Sequence, residues 1–220
     1  MATMPPPSAT GQPDSAQAWF GSDAGLALLE SEQPAVLRAL AERPALPWLW
    51  LGPVEQLTPV DGRGLRLAAD GAGWAGDAAC ALPLPLASES IGVAVVQHVA
   101  PTGGAGRELL AECARVLAPG GRLWLFALNP LAPYRWRWRG TGMGASEPLT
   151  WRRRLREAGL APEPVSQGVG PGWQVRVEQA SQHGPGLRAA YSLRAEKRTL
   201  PLTPVRRQAP LRIPEGIPAA

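Results

Sequence analysis

The chain divides into stretches with a regular apolar pattern and stretches with none. Behind Ser22 or Asp23, either of which can cap a helix, Leu26, Leu29 and Gln33 fall on one helical face. Pro34 interrupts or restarts that helix, and Val36, Leu37 and Leu40 continue the stripe. PWLWLG (47–52) is a short apolar burst closed by glycine, which predicts a buried strand. GLRLAAD (64–70) predicts a second strand ending in an acid. IGVAVV (91–96) is apolar throughout, as a strand covered on both faces must be. Residues 106–117 return to helical spacing, with Leu109, Leu110, Cys113, Val116 and Leu117 on one stripe. Pro119-Gly120-Gly121 then breaks the pattern, and 121–128 reads as a fourth strand. Residues 150–158 form a basic helix stopped by Gly159. Residues 187–195 alternate strictly, which predicts a half-exposed strand. Residues 173–182 fit helix and strand equally.

Strands separated by helices, with the central ones apolar on both faces, predict an open α/β sheet. Ligands bind such sheets at the carboxyl ends of the strands. The residues standing there are Gly52, Asp70, Gln97-His98 and Asn129-Pro130. Residues 1–18 are rich in Pro, Ser, Gly and Gln, and 201–220 carry a proline every few positions. Both are expected to be disordered, leaving one folded domain over 19–200.

Composition changes this picture little. The net charge is +4 with a pI near 9.8, but Lys197 is the sole lysine among 22 basic residues. With 25 Gly and 25 Pro as well, the arginines read as a habit of the whole chain rather than a nucleic-acid footprint. Cys80 and Cys113 form no C-x-x-C and sit in apolar contexts, so they read as buried thiols. MATMPPPSATGQPDS lacks the basic start and apolar core of a signal peptide. No apolar run approaches the ~18 residues of a membrane span. The expectation is a soluble cytoplasmic protein.

Three segments resemble the class I S-adenosylmethionine-dependent methyltransferases of the small-molecule, type 11 kind. GDAACALPLPLASESIGVAVVQHV (76–99) resembles the family's Asp-Ala, Leu-Pro and Ser-containing turn before strand four. ELLAECARVLAPGGRLWLFALNP (108–130) is similar to its helix, turn and strand five. AYSLRAEKR with LTP (190–204) resembles the last strand of a bacterial subgroup that also starts with a stretch like GLALLESEQ. The resemblance runs over roughly 20–204. It implies a Rossmann-like, seven-stranded mixed sheet with the last strand antiparallel, S-adenosylmethionine as cofactor, and a small-molecule or protein acceptor that the sequence does not identify. On the cofactor side it implies Gly52, Asp70 at the ribose, Asp77 and Ala78 at the adenine, and Gln97 and His98. On the substrate side it implies the 129–140 segment, with Asn129, Tyr134 and Trp136.

The chain departs from this family in its N-terminal half. The Gly-rich turn after strand one reads Leu51-Gly52-Pro53-Val54-Glu55, with one glycine and a proline that has no N–H to offer. Six residues separate Asp70 from Asp77, where a helix and a strand normally fit. Weak or lost binding of the donor is therefore expected. Gly71-Ala-Gly73-Trp-Ala-Gly76 spells G-x-G-x-x-G, but Pro83 and Pro85 forbid the helix that a phosphate site needs, so this reads as a flexible loop. His98 can act as a base or simply bond backbone at a strand end. Tyr134–Arg139 alternates aromatic and cationic residues, as either a stacking surface or a lid strand. Three functions follow: a methyltransferase; a methyltransferase-like protein without a donor that binds a partner; and a basic nucleic-acid or membrane-surface binder using 134–156.

Overall fold

Ile91–Val96 carries no polar side chain, and the fold is built around it. In the computed structural model, which describes residues 14–55, 58–101 and 103–198, Ile91–Gln97 is strand β4 and is buried at every position. In chain order the elements before it are α1 (Asp14–Phe20), α2 (Asp23–Leu40), β1 (Trp48–Gly52), β2 (Gly64–Asp70) and β3 (Gly73–Gly76). After it come α3 (Gly104–Val116), β5 (Leu117–Leu128), α4 (Pro148–Glu157), β6 (Ala161–Pro162), β7 (Gln167–Val169), β8 (Gln182–His183) and β9 (Ala190–Glu196). β4 pairs in parallel with β1 on one side and with β5 on the other. β2 extends the parallel set beyond β1. β9 runs antiparallel to β5. The described residues form a nine-stranded sheet in the order β3-β2-β1-β4-β5-β9-β7-β8, with β6 also paired to β9.

Alternation along β4 sends Ala94 and Val96 to one face and Val93 and Val95 to the other. On the first face α3 and α4 pack Leu109, Leu110, Cys113, Trp151 and Leu155. On the second, α1 and α2 pack Phe20, Leu28, Leu29, Val36 and Leu40 against Trp48 and Trp50 of β1. Each such side chain contributes roughly 1.5–3 kcal/mol by leaving water. That two-sided demand explains why β4 tolerates no polar residue until its carboxyl end.

Several expectations are corrected. α1 begins at Asp14, inside the segment expected to be disordered, and Phe20 and Trp19 tie it to the second core. Residues 1–13 and 199–220, including the expected Pro-rich tail, lie outside the described residues. α2 passes through Pro34 without a break, and its buried stripe includes Leu28, Leu29, Glu32 and Val36. Leu26, placed on that face by the sequence pattern, is 42% exposed. The Pro119-Gly120-Gly121 turn lies inside β5 as a bulge: Ile91 pairs with Leu117, and Val93 with Arg122. Gly120 takes φ of 69°, open to glycine, and donates its N–H to the Lys197 carbonyl. β9 is buried on both faces instead of half exposed, because α4 covers one side and the second core reaches the other through Ala190. Residues 173–181 form neither helix nor strand. Tyr134–Arg139 is no strand: Pro133–Arg137 is a 3₁₀ turn.

The expected flexible loop at 71–76 is half of a tight hairpin. β3 runs antiparallel to β2, pairing Asp70 with Gly73 and Leu67 with Gly76. Gly71 takes φ of 54° in the turn, and a Cβ on Gly73 would stand 2.8 Å from the Cys80 carbonyl oxygen. The glycines thus serve backbone geometry and close approach, and no helix follows them.

Candidate functional site

The carboxyl ends of β1, β4 and β5 meet at one edge of the sheet, and a buried polar chain crosses it. Trp50 is the third residue of β1 and Gln97 the last of β4. The indole Nε1–H of Trp50 can only donate, and it donates to Gln97 Oε1 at 3.0 Å. This fixes the orientation of the amide, so Gln97 Nε2 is the atom that donates to Glu32 Oε2, at 2.8 Å. Glu32, on α2, is fully buried. Its two oxygens also stand 2.9 Å from His98 Nε2. Donation runs from Trp50 through Gln97 to Glu32, and His98 Nε2 closes the chain on the same carboxyl group.

His98 is held unusually. Its φ is 57°, a left-handed conformation that non-glycine residues adopt at a cost of about 1–3 kcal/mol. Its N–H continues the ladder to the Phe126 carbonyl, and its ring stacks on Phe20 at 5.2 Å with 24° between planes. The side chain is 1% exposed. The second ring nitrogen, Nδ1, is buried and has no protein partner. An unsatisfied polar atom of this kind costs about 1–3 kcal/mol.

Two cavities flank the segment that follows. One, of about 260 Å³, is lined by His98, the end of β5 from Leu125 to Leu128, Met143 and Trp151. The other, of about 240 Å³, lies between the β2–β3 hairpin (Ala69, Gly71, Trp74) and α3 (Glu108, Leu109). Val99 and Pro101 line both, so the cavities adjoin. α1 reaches across this edge: Ala16 lines the first cavity, Gln17 donates to the Ala69 carbonyl, and Trp19 Nε1 donates to the Arg137 carbonyl at 2.8 Å.

The structure brings some of the sequence-selected residues together and separates others. Gly52, Asp70, Gln97 and His98 all stand at the carboxyl edge. Asp70 is exposed, and its neighbours Ala69 and Gly71 line the hairpin cavity. Asp77 does not join them. The hairpin carries it back to the Arg66 N–H, which it accepts at 2.8 Å, and to the Arg66 guanidinium at 3.2 and 3.3 Å. Those bonds hold its carboxyl below the usual range. Ala78 follows it away from the edge and packs half-buried against the first core.

On the substrate side, Asn129 clamps a loop. Its amide donates to the Gly186 and Arg188 carbonyls at 3.0 and 2.9 Å, and its Oδ1 accepts from the Leu131 N–H. Tyr134 is buried, donates to the Ala24 carbonyl at 3.0 Å, and has its hydroxyl pKa raised by burial. Trp136 is 57% exposed, with Arg135 and Arg139 over its ring. Sequence reasoning missed Glu32. The available signal was an acid on the helical stripe that runs from Leu28 through Val36.

Among the described residues no cluster of His, Cys, Asp and Glu could hold a metal ion, and no helix is long and apolar enough to cross a membrane. No family model matches the chain, and no curated protein matches it. Solved structures do. A SAM-dependent methyltransferase from Thermotoga maritima, described as a possible histamine N-methyltransferase, is similar with a TM-score of 0.55 and 17% identity, covering 83% of this chain and 94% of its own. A methyltransferase in complex with the Haloferax volcanii Trm112 methyltransferase activator is similar with a TM-score of 0.54 and 13% identity, covering 86% and 99%. The chain has the class I methyltransferase fold, with mixed parallel and antiparallel strands.

Proposed function

We propose that the protein is an S-adenosylmethionine-dependent methyltransferase whose small acceptor sits in the cavity beside His98. One observation carries this reading. In this fold a catalytic site belongs at the carboxyl edge of the parallel strands. There the chain keeps a strained, buried histidine, braced by a buried acid and lining an apolar cavity.

The residues present fit the nucleoside end of the donor. Asp70 offers an exposed carboxylate at the end of β2 to ribose hydroxyls, and the hairpin cavity between Trp74 and Leu109 offers apolar walls to adenine. The other end has fewer partners, since Pro53 supplies no N–H to the turn after β1. The donor, when bound, supplies a methyl group on a cationic sulfur: a bond from the acceptor atom to carbon forms as the carbon–sulfur bond breaks, and its electron pair stays on sulfur. The protein's part is to orient the acceptor, exclude water with α1 and the 142–144 loop, and receive a proton.

Calorimetric titration with S-adenosylmethionine and its demethylated product tests this. Losing two or three backbone contacts of about 1 kcal/mol each predicts binding with Kd on the order of 100 µM or weaker. A single-turnover assay with excess labelled donor and a panel of small hydroxyl and amine acceptors then reads transfer. A second reading, a fold that acts by binding a partner without any donor, is favoured by the Gly52-Pro53 turn and by Gln17 seated on the Ala69 carbonyl beside Asp70. Absence of heat with both ligands at millimolar concentration selects it over the first.

A further inference from the structure

We infer that three loops at the end of β5 and the start of β9 form a docking surface for an anionic lipid bilayer. On it Trp136 and Trp173 enter the membrane interface, and Arg135, Arg137 and Arg139 meet phosphate headgroups. The inference goes beyond the methyltransferase reading and needs no bound donor.

Hydrogen bonds tie the three loops side by side. Asn129 holds the loop before β9 through the Gly186 and Arg188 carbonyls and takes the Leu131 N–H on its Oδ1. Ala189 donates its N–H to the Pro171 carbonyl, just after β7. Arg137, in the 3₁₀ turn, donates to the Trp173 carbonyl at 3.4 Å. Each loop carries large apolar side chains that the core does not use. Trp136 and Trp173 are 57% and 65% exposed, and Leu131 and Leu187 are exposed beside them. Val175 and Val177 continue from Trp173 toward Leu26 of α2. Together these are seven of the ten exposed large apolar residues among those described. Scattered singly they would mean nothing, but on adjoining loops they mark a surface that something apolar covers.

Charge identifies the partner. Residues 129–146 include no acid, and within 164–189 the one acid, Glu178, is occupied by Arg176 and Arg188. Arg135 and Arg139 lie over the Trp136 ring at 5.5 and 4.8 Å, and Arg137 over the Tyr134 ring at 5.3 Å. The surface is thus cationic as well as apolar. Indoles at headgroup depth beside guanidinium groups on phosphates are the chemistry of a membrane interface. A single-stranded nucleic acid could use the indoles and arginines, but it leaves Leu131, Leu187 and the two valines uncovered, whereas acyl chains cover them. Trp136 and Trp173 line neither cavity of the candidate site, so this surface is separate from it.

The test mixes the full chain with vesicles of equimolar phosphatidylcholine and phosphatidylglycerol, or of phosphatidylcholine alone, and reads the protein that sediments with lipid. Partition should favour the anionic vesicles by about tenfold or more, since each arginine near a negative surface contributes roughly a fivefold factor. Arg135→Gln with Arg139→Gln should lower that partition about tenfold, and Trp136→Ala with Trp173→Ala should do the same. Trp136→Phe with Trp173→Phe keeps the apolar bulk, so it should still bind. Lipid brominated in its acyl chains should quench wild-type fluorescence and quench this variant far less, because the seven tryptophans that remain of nine are buried or half-buried. Equal partition to the two vesicle types, no partition to either, unchanged binding in the arginine variant, or undiminished quenching in the phenylalanine variant overturns the inference. So does tighter binding to single-stranded DNA than to anionic vesicles at the same salt. A dimer that Trp136→Ala returns to monomer overturns it as well, by making the surface an interface between copies. If the alanine variant does not fold, the phenylalanine variant decides.

Discussion

Replacing Glu32 with leucine removes a buried acceptor while keeping roughly the same apolar volume in α2. Two donors lose their partner, Gln97 Nε2 and His98 Nε2, at 2.8 and 2.9 Å. Each orphaned donor costs about 1–3 kcal/mol. Burial keeps water from replacing the lost carboxyl group, so the two penalties add, offset in part by the apolar leucine side chain leaving water. The expected loss is about 3 kcal/mol. For a domain of this size, at ~2–4 °C per kcal/mol, the melting temperature falls by about 6–12 °C. Gln97→Leu orphans the Trp50 Nε1–H and takes one donor from Glu32, for about 2 kcal/mol. The informative quantity is the double variant. The Gln97–Glu32 bond can be lost once only, so the combined loss should fall short of the sum by about 1.5–3 kcal/mol, the worth of a hydrogen bond to a charged group. Urea unfolding followed by the fluorescence of the nine tryptophans measures all four proteins. Additivity within about 0.5 kcal/mol would refute the buried chain as the unit holding His98.

Two further outcomes follow from the geometry. Asp70→Ala should weaken donor binding by about tenfold, the loss of one charge-assisted bond, while Asp77→Ala leaves it unchanged, since Asp77 is held by Arg66; calorimetry on both variants reads the difference. Cys113 is fully buried with its thiol pushed up to about 12, and Cys80 is half-buried and raised by burial. A thiol reagent at pH 8 should therefore modify one cysteine, Cys80, slowly in the folded protein and the second only with global unfolding; two fast equivalents would contradict the packing of α3.

The parallel core was legible because its physical demand is simple. A strand buried on both faces admits only apolar residues, and Ile91–Val96 with Leu123–Leu128 satisfied that over consecutive positions, with a helix between them long enough for a parallel crossover. The elements that went astray depend on neighbours rather than on their own pattern. β9 alternates in sequence, yet Ser192 is buried because β5 and β7 flank the strand and both of its faces are covered. Leu26 has the right spacing and points the wrong way. The α2 stripe was set one position late, and the shift that exposes Leu26 also brings Glu32 inward.

That one-position shift separates the two halves of the candidate site. His98 was visible as a histidine at a strand end. Its meaning was not, because no residue type announces the left-handed backbone at His98, and the stack on Phe20 and the acid on α2 come from segments some 65–80 residues away in sequence. Asp77 shows the converse. Its spacing from Asp70 was read against a family that places a helix between them, whereas two residues, Gly71 and Ala72, turn the chain straight back. The return carries Asp77 four residues down β2, roughly 13 Å at ~3.3 Å per residue, to Arg66. The segment that normally walls the adenine side is thereby replaced by the hairpin itself. Any nucleoside held here meets Ala69, Gly71 and Trp74 on the hairpin, and the carboxylate it meets is Glu108 on α3 in place of Asp77. With Glu108 replaced by alanine, a donor bound that way discriminates weakly between adenine and other flat bases. Competition between the demethylated product and its inosine counterpart should therefore give affinities within about threefold in Glu108→Ala, whereas a wild type whose Glu108 accepts from the adenine amino group separates them by about tenfold or more.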